Sequence, residues 1–125
     1  MKNIDSIIEE IIKDISFRKN VDYAKSYSVK QFNMAYDRIH KNMQYVDKLY
    51  PSEISRLMEL LKHADHKVVA TCAPIILQLK NCTHGQKLEA LTAIRNLIED
   101  PRLDDVEKLG FSLSLITLEQ NILGK

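Results

Sequence analysis

Three of the four histidines and both cysteines of the chain fall within 22 positions, and these residue types bind zinc. They are His63, His66, Cys72, Cys82 and His84. Structural zinc sites usually carry closely paired ligands in both halves, and this spacing does not follow that pattern. Cys82 and His84 could also act as nucleophile and base, but residues two apart do not face each other on a helix. Neither an acidic partner nor a glycine-rich oxyanion loop accompanies them. The sequence therefore predicts no metal site, no cofactor and no enzymatic activity.

A polar cluster lies near the middle of the first half, at Asn33, Asp37, Arg38 and His40. Asn33 and Asp37 are four residues apart, so a helix would present them on one face. One interpretation is a partner-binding surface on the concave side of a helical array. The other, which we favour, is that Asn33 and Asp37 hydrogen-bond to a neighbouring turn, as half-buried polar groups usually do.

Five acidic residues surround Pro101, with Arg102 as the one basic residue among them. They are Glu99, Asp100, Asp104, Asp105 and Glu107. Acids at such positions commonly cap helices and face solvent, which is the simpler interpretation. The functional alternative is a docking surface for a basic protein, since charge complementarity raises association rates and sets specificity.

Overall charge excludes little, because the 125 residues carry a formal net charge of +1. The first third is locally basic, through Lys13, Arg18, Lys19, Lys25 and Lys30. Asp14 and Asp22 dilute this basic segment, so it does not form the stripe of like charge that a nucleic-acid-binding protein would present. The isoleucines near the N-terminus are interrupted by charges, unlike a signal peptide, and no apolar run is long enough for a membrane span. We therefore predict a cytoplasmic protein with reduced cysteines and no membrane partner.

The elements that must position these residues are helices, because apolar residues recur at helical spacing almost throughout. Ile4, Ile7, Ile8, Ile11 and Ile15 define the first helix, with Asn3 or Asp5 as its cap. A second helix is expected to be continuous over residues 30–49, with a possible break near position 28. The remaining predicted helices cover residues 52–62, 66–79, 83–98 and 104–123.

The fourth predicted helix is apolar around most of its circumference, so it should be buried in the middle of the stack. Asp65 is its expected cap, and Pro74 is expected to kink it. The organisation is thus a single domain, 1–125, with N-terminal helices in residues 1–50 and two helix pairs in 51–125. The predicted fold is all-α: a right-handed α-α superhelix of about six helices, HEAT-like or armadillo-like.

Three segments resemble a small bacterial family of HEAT-like α-α superhelical proteins that is known as a domain of unknown function. Residues 32–40 resemble its Asn-x-x-Tyr-Asp-x-Ile segment, and residues 60–68 resemble its Leu-Leu-x-His-x-Asp-x-x-Val turn. Leu109-Gly110-Phe111 and Thr117-Leu118-Glu119 resemble its last helix. The resemblance implies the fold and no particular activity, because the family has no settled one; the extended concave face of a solenoid is what favours an interaction protein. Some small bacterial proteins of this shape serve as immunity proteins for secreted toxins.

We therefore expect a protein-interaction module, with an immunity protein that neutralises a cognate bacterial toxin as the preferred role. A regulatory adaptor and a nucleic-acid-binding solenoid are the alternatives. The last helix is apolar on more than one side, through Leu113, Leu115, Ile116, Leu118 and Ile122. Either the first helix covers its second apolar side or a second molecule does, which makes a homodimer through this helix a further hypothesis.

Overall fold

A computed structural model describes residues 3–19 and 26–123, and within these ranges the chain forms six α-helices and no strand. The helices are α1 (Ile4–Lys19), α2 (Ser26–Leu49), α3 (Ile54–Met58), α4 (His66–Ile76), α5 (His84–Ile98) and α6 (Asp105–Leu123). The 3-10 turns Pro51–Glu53 and Glu59–Lys62 flank α3. The all-helical prediction is therefore confirmed. The described part of the chain has no helix long and apolar enough to cross a membrane.

Helix starts lie where the capping residues predict them. The Ser6 backbone N–H donates to Asn3 Oδ1 at 2.8 Å, which caps α1. The Lys67 N–H donates to Asp65 Oδ1 at 2.9 Å at the start of α4. At α5, Thr83 and Gln86 form a reciprocal capping box. Each cap satisfies a backbone donor that the first helical turn leaves without a partner.

Three boundaries differ from the prediction. Residues 52–62, expected to form one helix, form a 3-10 turn, a short α-helix and a second 3-10 turn. The second 3-10 turn ends where the His63 N–H donates to the Leu60 carbonyl. The helix expected to reach Leu79 ends at Ile76, because Gln78 and Leu79 donate to carbonyls three residues back in a 3-10 turn. The possible break near position 28 is absent, since α2 is continuous from Ser26; positions 22–25 lie outside the described residues.

The core is centred on α4, as its apolar circumference predicts. Val68, Cys72, Ala73, Ile75 and Ile76 are all buried there. α4 contacts α1, α2, the second 3-10 turn and α5, while α6 packs on the outer side of α5. α1 and α2 pack mainly against each other, through Ile7, Ile11, Ile15, Ile39, Met43 and Val46.

Two buried carboxylates connect these elements. Asp14 on α1 accepts from Arg38 Nη2 on α2 at 2.8 Å, and from Arg38 Nε at 3.2 Å, in a forked ion pair. Asp47, near the end of α2, accepts from the backbone N–H groups of Lys80 and Asn81 at 2.9 and 2.8 Å. Asn81 Nδ2 donates to the Asp47 carbonyl at 2.7 Å. This Asp47 clamp ties α2 to the segment that follows α4.

Candidate interaction surface

Helix α6 has two apolar faces, and only one of them is buried. Phe111, Leu115, Leu118 and Ile122 pack against the core. Val106, Leu109, Leu113 and Ile116 point away from it, with 81%, 59%, 60% and 60% of their surface exposed. We call these four residues the α6 stripe. Their spacing of three, four and three places them in one row along the helix. Of the two alternatives for this helix, covering by α1 does not apply to the α6 stripe.

The α6 stripe borders an apolar groove between α4 and α6. The groove has a volume of about 470 Å³ and lies over Ile94 of α5. Pro74 and Gln78 form one wall, and Leu113 is part of both the groove and the stripe. A contiguous apolar surface of this kind is often an interaction site.

Two partly exposed ion pairs join α6 to the preceding helices. Lys67 Nζ of α4 pairs with Glu107 near the start of α6 at 3.0 Å, and Arg95 Nη2 of α5 pairs with Glu119 at 3.0 Å. Asp104 caps the helix by accepting from the Glu107 N–H at 2.7 Å. Both ends of α6 are thus anchored to the preceding helices.

The predicted acidic surface is largely engaged within the chain. Asp100 binds the Arg102 guanidinium and its backbone N–H, and these bonds lower the pKa of the Asp100 carboxyl to about 2. Arg102 Nη1 also donates to the Ala64 carbonyl at 2.9 Å, which joins this loop to the turn before α4. Asp104 and Glu107 hold α6 as described, so only Glu99 and Asp105 of the five acids are simply exposed.

The polar cluster on α2 is divided between two roles. Arg38 pairs with Asp14, and the His40 ring lies 5.2 Å from the Tyr36 ring. Asn33 and Asp37 are exposed, and within the described residues neither forms the expected hydrogen bond to a neighbouring turn. That interhelical link comes from Arg38 instead, because its longer side chain reaches α1. Sequence reasoning placed Arg38 in the cluster and missed its partner.

The histidines and cysteines do not converge. Burial raises the pKa of the Cys72 thiol to about 12, and burial together with nearby Asp47 raises that of Cys82. His63 Nδ1 accepts from the Asp65 N–H at 3.0 Å, while His84 is exposed at the start of α5. Burial, with Arg102 and Lys67 nearby, lowers the pKa of His66. No group of three or more potential ligands within the described residues could hold a metal ion.

A second groove, of about 590 Å³, lies between the α3 region and α5. Its walls carry Glu59 and Lys62 on one side and Gln86 and Glu89 on the other, with Leu88 between them. The described part of this groove contains neither a cysteine nor a histidine, so it brings no nucleophile and base together. Of the predicted basic segment, Lys13 and Lys30 are exposed, while the side chains of Arg18, Lys19 and Lys25 lie outside the described ones.

Comparison of the chain with protein-family models, with curated proteins and with solved structures gives no match. The resemblance to a HEAT-like family therefore stays a prediction. What the protein does must be inferred from its own surfaces.

Proposed function

We propose that the chain is a protein-interaction module that docks through the α6 stripe. The observation that carries the proposal is the exposure of four large apolar side chains in one row, from 59% to 81% each. Water contact with such a row is unfavourable, and burial against a partner removes it. The surface also adjoins an apolar groove, into which a partner can insert side chains.

The proposal extends to a HEAT-like right-handed superhelix, with α3 and α4 as one helix pair and α5 and α6 as the next. Sequential packing of α4 on α5 and of α5 on α6 supports this arrangement. The α6 stripe is a face of this array that the described helices leave exposed, and another protein can continue the packing there.

The partner is a protein with an apolar surface of its own, and the immunity role is the narrower form of the proposal. The acidic segment gives no separate support for a basic toxin, because Asp100, Asp104 and Glu107 are engaged within the chain. A toxin partner would therefore be bound mainly through apolar contacts of α6.

The test is capture of partners from the native cells by the tagged wild-type chain and by matched variants. Leu109→Glu places a charge in the α6 stripe, while Leu49→Glu changes a leucine of similar exposure, 52% against 59%, on α2. We expect one stoichiometric partner that Leu109→Glu loses and Leu49→Glu retains. An immunity role further predicts that this partner is toxic alone and harmless when coexpressed. Equal capture by both variants would contradict the proposed docking surface.

A further inference from the structure

The spacing of the α6 stripe matches the seam of a two-helix coiled coil. Val106, Leu109, Leu113 and Ile116 follow the three-four-three rhythm of heptad positions a, d, a and d. Such a seam is narrow and takes one apolar helix along its length. The required occupant is therefore a helix with the same rhythm, and α6 itself has that rhythm.

From this geometry we propose that the α6 stripe pairs with the α6 stripe of a second copy, in an antiparallel two-fold arrangement. This inference rests on the proposed function and names its partner. With the dyad near position 111, Val106 of one copy lies opposite Ile116 of the other, and Leu109 lies opposite Leu113. Each apolar side chain then meets another, so the surface is complementary to itself, as a two-fold interface requires.

Charge favours the antiparallel over the parallel direction. Asp104, Asp105 and Glu107 all lie at the start of α6. A parallel pair would bring these acids from both copies to the same level, whereas the antiparallel pair separates the two copies of each acid by about 12–21 Å along the axis. Opposed helix dipoles favour the same direction.

Small residues beside the seam allow the two helices to approach closely. Gly110 is exposed and lies next to the proposed dyad, and a Cβ atom added there would have no neighbour within 4 Å. Thr117, also exposed, adds little bulk beside Ile116. No basic or acidic side chain interrupts the row itself, so pairing desolvates no charge within it.

The available area is sufficient for a modest dimer. The four exposed side chains offer on the order of 400 Å² of apolar surface per copy, comparable to the largest patch on a typical monomer. Two copies would therefore bury on the order of 800 Å² from their stripes, which is below the range of stable interfaces and within that of weak association. We therefore expect a micromolar rather than a nanomolar dissociation constant.

The first test is the mass of the intact chain in solution, by sedimentation equilibrium up to about 100 µM. We expect a concentration-dependent rise from 14.4 kDa toward twice that value. Leu109→Glu should weaken association by at least about 100-fold, because pairing would bury two charges per dimer. Leu49→Glu, the matched exposed control, should associate like the wild type.

The second test distinguishes the direction of pairing with single cysteines and a short thiol crosslinker. A helix rises about 1.5 Å per residue, so the antiparallel dyad leaves the two Gly110 positions about 3 Å apart along the axis and the two Val106 positions about 15 Å apart. Gly110→Cys should therefore crosslink and Val106→Cys should not. The wild-type chain is the control and should not crosslink, because its Cys72 and Cys82 are buried.

The outcomes separate this inference from the proposed function. A mass of 14.4 kDa at every concentration would overturn the dimer, and crosslinking of Val106→Cys alone would overturn its direction. If the chain is monomeric and Leu109→Glu loses a different protein partner, the proposed interaction module is supported and the proposed homodimer is refuted. Should Leu109→Glu change neither mass nor capture, both proposals fail.

Discussion

Removal of the Asp47 carboxylate should destabilise the fold more than any exposed substitution on the same helix. Asp47 is 7% exposed and accepts two backbone hydrogen bonds, of 2.9 and 2.8 Å, from Lys80 and Asn81. In Asp47→Ala, both N–H groups lose an ionised acceptor, and the end of α2 loses its link to the segment after α4. The helical conformation itself would not suffer, because alanine is the better helix former.

The magnitude follows from the exposure of the donors. A hydrogen bond to a charged group contributes about 1.5–3 kcal/mol, but Lys80 and Asn81 are exposed residues, so water can replace part of each bond. We take about 1–1.5 kcal/mol for each bond and subtract about 0.5 kcal/mol for the gain in helix propensity. The free energy of unfolding should fall by about 2 kcal/mol. For a chain of this size, that lowers Tm by roughly 6–10 °C.

The assay is urea unfolding followed by far-UV circular dichroism, with thermal unfolding as a second readout. Asp37→Ala is the matched control, since Asp37 lies on the same helix and is exposed; its effect should stay within about 0.5 kcal/mol. Asp47→Asn keeps one acceptor oxygen and should fall between the two. If Asp47→Ala and Asp37→Ala unfold at the same urea concentration, the clamp contributes nothing and the reasoning is refuted.

Three further predictions follow from the buried and paired groups. Arg38→Ala should cost about 1 kcal/mol, because it leaves the mostly buried Asp14 without its partner, and Arg38→Lys should recover only part of this. The lowered pKa of His66 means that below pH about 6.5 the unfolded chain binds the proton more readily. Stability should therefore fall from pH 7 to 5, less steeply in His66→Gln. Cys72 and Cys82 should resist a thiol reagent at pH 8 until the chain unfolds, because burial raises both pKa values.

Each of these predictions has a control in the chain. Lys41→Ala changes an exposed cation on α2, and it should leave the free energy of unfolding within about 0.5 kcal/mol. His84→Gln changes an exposed histidine and should keep the wild-type slope with pH. In the unfolded protein both thiols of the chain should react with the reagent. Rapid reaction of either thiol in the folded protein would contradict its burial.

Features set by near neighbours in the sequence were predictable. The caps Asn3, Asp65 and Thr83 act within three residues of themselves, and the isoleucine face of α1 follows from spacing alone. The ion pair of Asp14 with Arg38 joins residues 24 apart, and the Asp47 clamp spans 33 and 34. Such partners depend on how the helices meet, which local patterns do not contain.

A signal for both buried carboxylates was nevertheless present. Asp14 comes seven residues after Ile7 and three after Ile11, and Asp47 comes four residues after Met43. Each carboxylate therefore lies on the apolar face of its helix. A charge on a buried face requires a partner. That rule would have directed attention to these two residues before the acidic segment around Pro101.

The choice between the two faces of α6 could not be made from its sequence. Both faces are apolar and both repeat at helical spacing. In the fold, Phe111 packs against the small cluster of Val69, Leu97 and Leu103, while Glu107 and Glu119 pair with cations of the preceding helices. These tertiary contacts select the buried face and leave the α6 stripe outside.

The separation of buried from exposed groups allows folding and docking to be examined independently. The α6 stripe is exposed, so its apolar area adds little to the free energy of unfolding of one chain and contributes only when another protein covers it. Asp47 bonds to Lys80 and Asn81, neither of which belongs to the α6 stripe, so its loss should weaken the fold without changing a side chain of the docking surface. Leu109→Glu should accordingly change association at unchanged stability, and Asp47→Asn the reverse. A stripe variant that lowered both quantities together would mean that α6 is needed for folding, and the assignment of its outer face to docking would have to be abandoned.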